Sequence, residues 1–204
     1  MITGSVLHRS ERIKRILKRT YRKSKKKQWP WLVIFLLGFT IVTFPKWIHF
    51  FYPLPYYSIV LEKSVEYRLD PGLIYAVMWA ESRFDHKARS PVGAKGLMQI
   101  MPETAWWIGA KMGWPITEEN LEQPEINIEL GCWYLAYLEE EFHELPLVIA
   151  AYNAGHNRVR GWLEEGVWDG SLEQADKIPF PETRNYLKQV LRNLEVYRYL
   201  PSVP

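Results

Sequence analysis

Glu81 lies in the stretch IYAVMWAESRFD, residues 74–85, and its neighbours make it a candidate acid. Leu73, Val77, Ala80 and Phe84 recur at spacings of 4, 3 and 4, the apolar stripe of a helix packed on a core. Glu81 falls four residues after Val77 and three before Phe84, so its carboxylate belongs to that side. An apolar wall withdraws solvent and disfavours the charged form, which leaves a carboxylic acid able to donate a proton near neutral pH. A carboxylate near a helix end can also be half-solvated or bonded to neighbouring backbone, and position alone favours that blander role. Asp85, one turn later, suits capping or solvating the helix end. A second acid, Glu182, stands in IPFPETRNYLKQV and suits the first turn of its own helix through the macrodipole. The five histidines show no paired ligand spacing, so the pattern calls for no metal and no cofactor. The single Cys132 suits a small buried residue better than a nucleophile.

The elements that must position these groups read as helices from about Ile59 onward. Asp70 can cap, and Pro71 can occupy the first turn of, the helix that carries Glu81. A loop punctuated by Gly93 and Gly96 follows, in which the glycines shape a turn. Pro102 then starts LMQIMPETAWWIGAKMG's helix. INIELGCWYLAYLEEEF reads as a long helix, LPLVIAAYNAG as a shorter apolar one stopped by Gly155, NRVRGWLEEG as a further turn or two, and PETRNYLKQVLRNLEVYRYL as the last. No run shows sustained strand alternation, so residues 59–204 form an all-α domain of about seven helices.

The net charge of +3 conceals an asymmetry. Residues 1–28 hold 11 Lys/Arg against one acid, Glu11, whereas the remaining chain carries 15 basic and 22 acidic groups. That acidic balance argues against nucleic-acid binding by the main domain. The basic tail is followed by WPWLVIFLLGFTIVTFPKWIHFFY, uncharged from Trp29 to Pro45 and flanked by aromatics, about the length that crosses a ~30 Å bilayer. The long basic region and the bulky FPKWIHFFYPLP, where a small-residue cleavage site would stand, favour an uncleaved anchor over a signal peptide. The expected organisation is therefore a basic cytoplasmic tail at 1–28, a transmembrane signal-anchor helix at 29–51, a linker at 52–58 and a domain at 59–204. The positive-inside rule makes this a single-pass protein of the cell membrane, its N-terminus cytoplasmic and its domain extracytoplasmic.

Four ordered motifs then carry a resemblance: ES at 81–82, GLMQIMP at 96–102, AAYNAG at 150–155 and IPFPETRNY at 178–186. Over roughly Ile59 to Tyr199 the chain resembles the catalytic domain of soluble lytic transglycosylases, lysozyme-like enzymes that cleave bacterial peptidoglycan. The resemblance implies a lysozyme-like α fold with a groove for glycan strands of N-acetylglucosamine and N-acetylmuramic acid. It matches Glu81 to the catalytic glutamate, and Ser90, Gln99, Met101, Tyr152 and Asn153 to the groove lining. Glu182 matches the glutamate placed near the catalytic one. Each has a plainer role open to it: Gln99 can cap backbone, Met101 can be core, and Asn153 suits a helix end.

Glycosidases normally use two carboxylates, but no other acid here has a clear second role, and a single-carboxylate scheme fits the family. Glu81 would protonate the glycosidic oxygen of the β-1,4 bond and then, as carboxylate, take the proton of the muramic acid C6 hydroxyl, giving a 1,6-anhydro ring without water. A muramidase that admits water and a non-catalytic wall-binding scaffold are the alternatives. His156 follows YNAG where the family leads one to expect proline, and suits a solvated loop. Trp106 and Trp107 can stack on sugars, with core packing the better role for at least one. Stem-peptide preference is not legible, and a wall-spanning machine, the divisome and spore machinery stay open as clients.

Overall fold

The computed structural model describes residues 14, 15, 17, 18, 29–40 and 50–200. The chain divides into two units, Met1–Pro53 and Leu54–Pro204. In the first, residues 29–40 are helical, and Trp29, Trp31, Leu32, Phe35 and Phe39 are all exposed. Twelve helical residues extend ~18 Å, and among the described residues no helix is long and apolar enough to cross a membrane. Residues 41–49 of the expected span 29–51, and most of the basic tail, lie outside the described residues.

Proline writes most of the helix starts of the second unit. Its ring presets φ, and its missing N–H costs nothing where the first-turn donors have no helical partner. Helices α1 (Tyr57–Tyr67), α2 (Pro71–Ser82), α3 (Pro102–Met112), α4 (Pro124–Phe142), α5 (Leu145–Ala154), α6 (His156–Glu164) and α7 (Pro181–Arg198) follow in order, and five of them carry proline in the first two positions. Asp70 caps α2 as expected, its Oδ1 accepting from the Gly72 N–H at 2.7 Å. Gly113 at φ 68° ends α3, and Gly155 at φ 92° separates α5 from α6. Short 3-10 turns at Glu118–Glu122 and Ala175–Lys177 complete the unit. Among the described residues there is no strand, only isolated bridges joining Arg89 to Lys95 and Lys95 to Ile100. Helix α1 begins at Tyr57, inside the stretch read as linker.

The core is arranged around α2, which packs chiefly on α7 and also touches α1; α5 lies against both α4 and α7. Leu73, Ile74, Tyr75, Ala76, Val77 and Met78 are all buried, so α2 has no single apolar stripe. This corrects the sequence expectation: a helix enclosed by neighbours is apolar all round, and periodicity cannot assign its face. Phe84 is a second correction. The helix ends at Ser82, and Arg83 (φ 51°) and Phe84 (φ 68°) take left-handed conformations. Phe84 nonetheless reaches the core by folding back, its ring 6.2 Å from Tyr75 and 5.7 Å from Trp79.

Candidate active site

Glu81 stands at the penultimate position of α2, where the helix is about to turn away, and it keeps a solvent-open side. The neighbouring Ser82 anchors the turn: its Oγ lies 2.7 Å from the Leu97 carbonyl and 3.2 Å from that of Met78. Leu97 belongs to the loop 88–100, whose construction explains the glycines. Lys95 and Ile100 exchange both backbone bonds, and the Gly96 N–H donates to the Ala88 carbonyl at 2.9 Å. At φ 80°, Gly96 passes so close to the Leu121 carbonyl and the Asn127 amide that a Cβ would overlap both. Asn127, fully buried, then accepts from the Met98 N–H at 2.7 Å and donates to the carbonyls of Lys95 and Leu121. An irregular loop running through the core needs its backbone groups satisfied one by one, and Asn127 satisfies two of them while also bonding the Leu121 carbonyl of the 3-10 turn.

The candidate lining residues fall into two groups. Tyr152 and Glu182 come to Glu81: the negative charge of Glu81 bears on Tyr152, and that of Glu182 bears on Glu81. The Tyr152 hydroxyl donates to the Met98 carbonyl at 2.9 Å, which ties α5 to the loop. Glu182 is exposed in the first turn of α7. The others hold backbone or neighbouring side chains. Ser90 Oγ accepts from the Ala94 N–H at 2.9 Å, and the Gln99 amide, on a left-handed residue (φ 47°), donates to the carbonyls of Ala88 and Gly96. Met101 is the N-cap residue of α3, and Asn153 Oδ1 accepts from Thr183 Oγ1 at 2.7 Å. Asp85 is exposed and accepts from the Lys87 N–H at 2.9 Å.

Burial, opposed by the Tyr186 hydroxyl and assisted by the nearby charge of Glu182, pushes the Glu81 carboxyl up to about 7. Tyr186 is the residue the sequence reading did not single out. Its hydroxyl is buried and, among the described residues, closes no hydrogen bond of good geometry, although it is near enough to Glu81 to favour the charged form. Burial and then the Glu81 charge hold the phenol itself well above its ordinary range. The signal was available: Tyr186 follows Glu182 by four residues, so both share a face of α7. One acid poised near neutrality beside two phenols can give up a proton and later recover one.

A family description of the Transglycosylase SLT domain matches residues 58–171. The chain belongs to that family. The chain is 37% identical over 154 residues to the soluble lytic murein transglycosylase of Escherichia coli, a match covering 72% of this chain and 24% of the relative. It is 30% identical over 169 residues to the membrane-bound lytic murein transglycosylase C of Actinobacillus pleuropneumoniae, covering 71% and 46%. Among solved structures, the 70-kDa soluble lytic transglycosylase of Escherichia coli matches with a TM-score of 0.69 at 36% identity, over 74% of this chain and 25% of that one. An inactive mutant of the Pseudomonas aeruginosa lytic transglycosylase matches with a TM-score of 0.67 at 35% identity, over 75% and 25%. The chain thus spans about a quarter of the soluble relatives it matches. The lysozyme-like helical architecture expected for residues 59–204 is that of these SLT structures.

Proposed function

We propose that this protein is a peptidoglycan lytic transglycosylase with Glu81 as its single general acid and base. The observation that carries the reading is the carboxyl pushed up to about 7 while still open to solvent, on a domain of this family. Protonated Glu81 gives its proton to the glycosidic oxygen between N-acetylmuramic acid and N-acetylglucosamine as the C1–O bond breaks. Positive charge at C1 is eased by the sugar's own N-acetyl group. The carboxylate then removes the C6 hydroxyl proton, O6 closes on C1, and the 1,6-anhydro ring forms with no water consumed. Proton and electron pairs balance, and Glu81 ends protonated as it began.

Ser90, Gln99, Met101, Tyr152, Asn153 and Glu182 border the groove in this reading. Tyr152 helps to place the sugar or the Glu81 carboxyl, and Tyr186 favours the charged form of that carboxyl. The family relatives named as lytic transglycosylases, one of them crystallised as an inactive glutamate-to-glutamine mutant, support the assignment.

We also place residues 29–51 in the membrane, with 1–28 cytoplasmic and the SLT domain outside. The exposed apolar helix at 29–40, the basic residues before it and a relative named as membrane-bound support this placement. Digestion of purified peptidoglycan followed by mass spectrometry tests the chemistry: the products carry anhydro ends, lighter by one water than the reducing ends that hydrolysis leaves. Protease treatment of spheroplasts tests the topology by degrading the SLT domain and sparing the basic tail.

A further inference from the structure

Three consecutive backbone groups of the loop 88–100 are each held by a side chain from a different helix. The Leu97 carbonyl accepts from Ser82 Oγ of α2 at 2.7 Å. The Met98 N–H donates to Asn127 Oδ1 of α4 at 2.7 Å, and the Met98 carbonyl accepts from the Tyr152 hydroxyl of α5 at 2.9 Å. The first two groups belong to one peptide unit, so Ser82 and Asn127 bond its two ends. Hydrogen bonds at both ends of a peptide polarise one another, and each strengthens the other where water is excluded. Ser82 adjoins Glu81 in the chain, and the Glu81 charge bears on Tyr152. The peptide 97–98 is therefore linked to Glu81 by two routes, and Asn127 holds its amide hydrogen.

Helix α4 is shaped for this hold. Asn127 is fully buried, and its side-chain amide donates to the Lys95 and Leu121 carbonyls at 2.9 and 2.8 Å, which leaves Oδ1 to face Met98. Gly131, one turn on along the same face, makes room for the Met98 thioether, which a Cβ would overlap. The Tyr152 ring is itself packed. It lies 5.5 Å from Tyr134, and Tyr134 lies 6.3 Å from Trp107, on which His156 stacks at 6.1 Å. His156 is thus the first residue of α6 on an aromatic bank, not the solvated loop residue expected from sequence. With the ring packed, the bond its hydroxyl makes depends on where the loop places Met98. Ser90 and Gln99, which border the groove in the reading above, bond within the loop and do not use Asn127.

We propose that Asn127 is a positioning residue for the reaction: it fixes the Leu97–Met98 peptide, and thereby Ser82, the Tyr152 hydroxyl and the place of the Glu81 carboxyl. The proposal rests on the transglycosylase reading above.

Cleavage of peptidoglycan by the full chain in detergent micelles tests it, at a temperature where circular dichroism shows each variant folded. Ser82→Ala and Asn127→Ala should each lower kcat about ten-fold and change KM by less than about three-fold, because the loop's own groove-side bonds remain. The double variant should lose about ten- to twenty-fold, well short of the roughly hundred-fold loss of independent sites. Ser82→Thr keeps the hydroxyl and should stay within about two-fold of wild type. Asn127→Asp keeps an acceptor for the Met98 N–H and takes the place of Asn127→Ala in the cycle should the latter not fold. Glu129→Ala, buried on the same helix, should lower the melting temperature and leave the kcat of the folded fraction unchanged. Wild-type kcat in the folded single variants, or losses that multiply in the double variant, overturns the proposal.

Titration of the Glu81 carboxyl, read in the infrared as wild type minus Glu81→Gln, reads the same hold without substrate. Ser82→Ala and Asn127→Ala should lower its midpoint by about half a pH unit as water enters, with Glu182, Tyr186 and Tyr152, the groups that bear on it, unchanged. Glu129→Ala should not move it. A wild type that yields no anhydro ends, with the midpoint still moved by both variants, sinks the transglycosylase chemistry and leaves the hold standing. Anhydro ends with an unmoved midpoint and unmoved kcat overturn the role of Asn127 alone.

Discussion

Two glutamates, Glu81 and Glu129, sit on core helices in opposite circumstances. Glu129 on α4 is 8% exposed and fully engaged: it accepts from the Tyr67 hydroxyl and pairs with Lys63 at 2.5 Å. Burial alone would lower the pKa of Lys63, but its bonds to Glu129 and Glu66 raise it above the ordinary lysine range. Glu81 has more solvent and, among the described residues, no ion pair and a phenol that stops short of a hydrogen bond. A paired carboxylate ties α1 to α4; an under-paired one keeps its proton near neutrality. The difference lies in the partners, since the residue type and the kind of element are the same.

The comparison can be broken at several points. Glu81→Gln should lower kcat on peptidoglycan by about 10³-fold or more while leaving the fold intact, measured by anhydro-product release and circular dichroism. Glu129→Ala should do the reverse. Stripping one partner from a buried pair costs about 3 kcal/mol, so the melting temperature falls while the activity of the remaining folded fraction persists. Gly96→Ala should cost about 2 kcal/mol in denaturant unfolding, because both its φ of 80° and the Leu121 carbonyl resist a side chain.

Titration separates the two sites further. Glu81's folded pKa is raised from 4.5 to about 7, so its protonated form favours folding and the contribution fades as pH rises through about 7. Between pH 5 and 8 the wild type should therefore lose about 2 kcal/mol relative to Glu81→Gln, a figure already reduced for the solvent-open side of the carboxyl. The activity of the wild type should fall over the same rise, since the acid must be protonated to begin. The smallest effect is a shift of that limb. Glu182→Gln removes a like charge and should move it down by ~0.3 pH units, whereas Tyr186→Phe removes the opposing hydroxyl and should move it up. A pH–rate profile unmoved by either change would detach α7 from the acid.

Much of the scaffold was legible because its signals are local. Pro71, Pro102, Pro124, Pro146 and Pro181 open helices, and Asp70 and Gly155 cap or stop them, through bonds and torsions within a few residues. Glu81 was legible as a glutamate among apolar neighbours. Phe84 was misread because the stripe continued in sequence after the backbone had left the helix. His156 was misread because its partner, Trp107, is 49 positions away in the chain.

By itself, then, the sequence determined the helices, their punctuation and the candidacy of one carboxylate, all of which depend on contacts between near neighbours. Tertiary structure alone decided that α2 is buried all round from Gly72 to Met78, that Asn127 holds the loop 88–100, and that Tyr152 and Tyr186 lie near Glu81. A pKa depends on solvent and charge in three dimensions, and the groups that join burial in setting it here, Tyr186 and Glu182, arrive from α7, far along the chain.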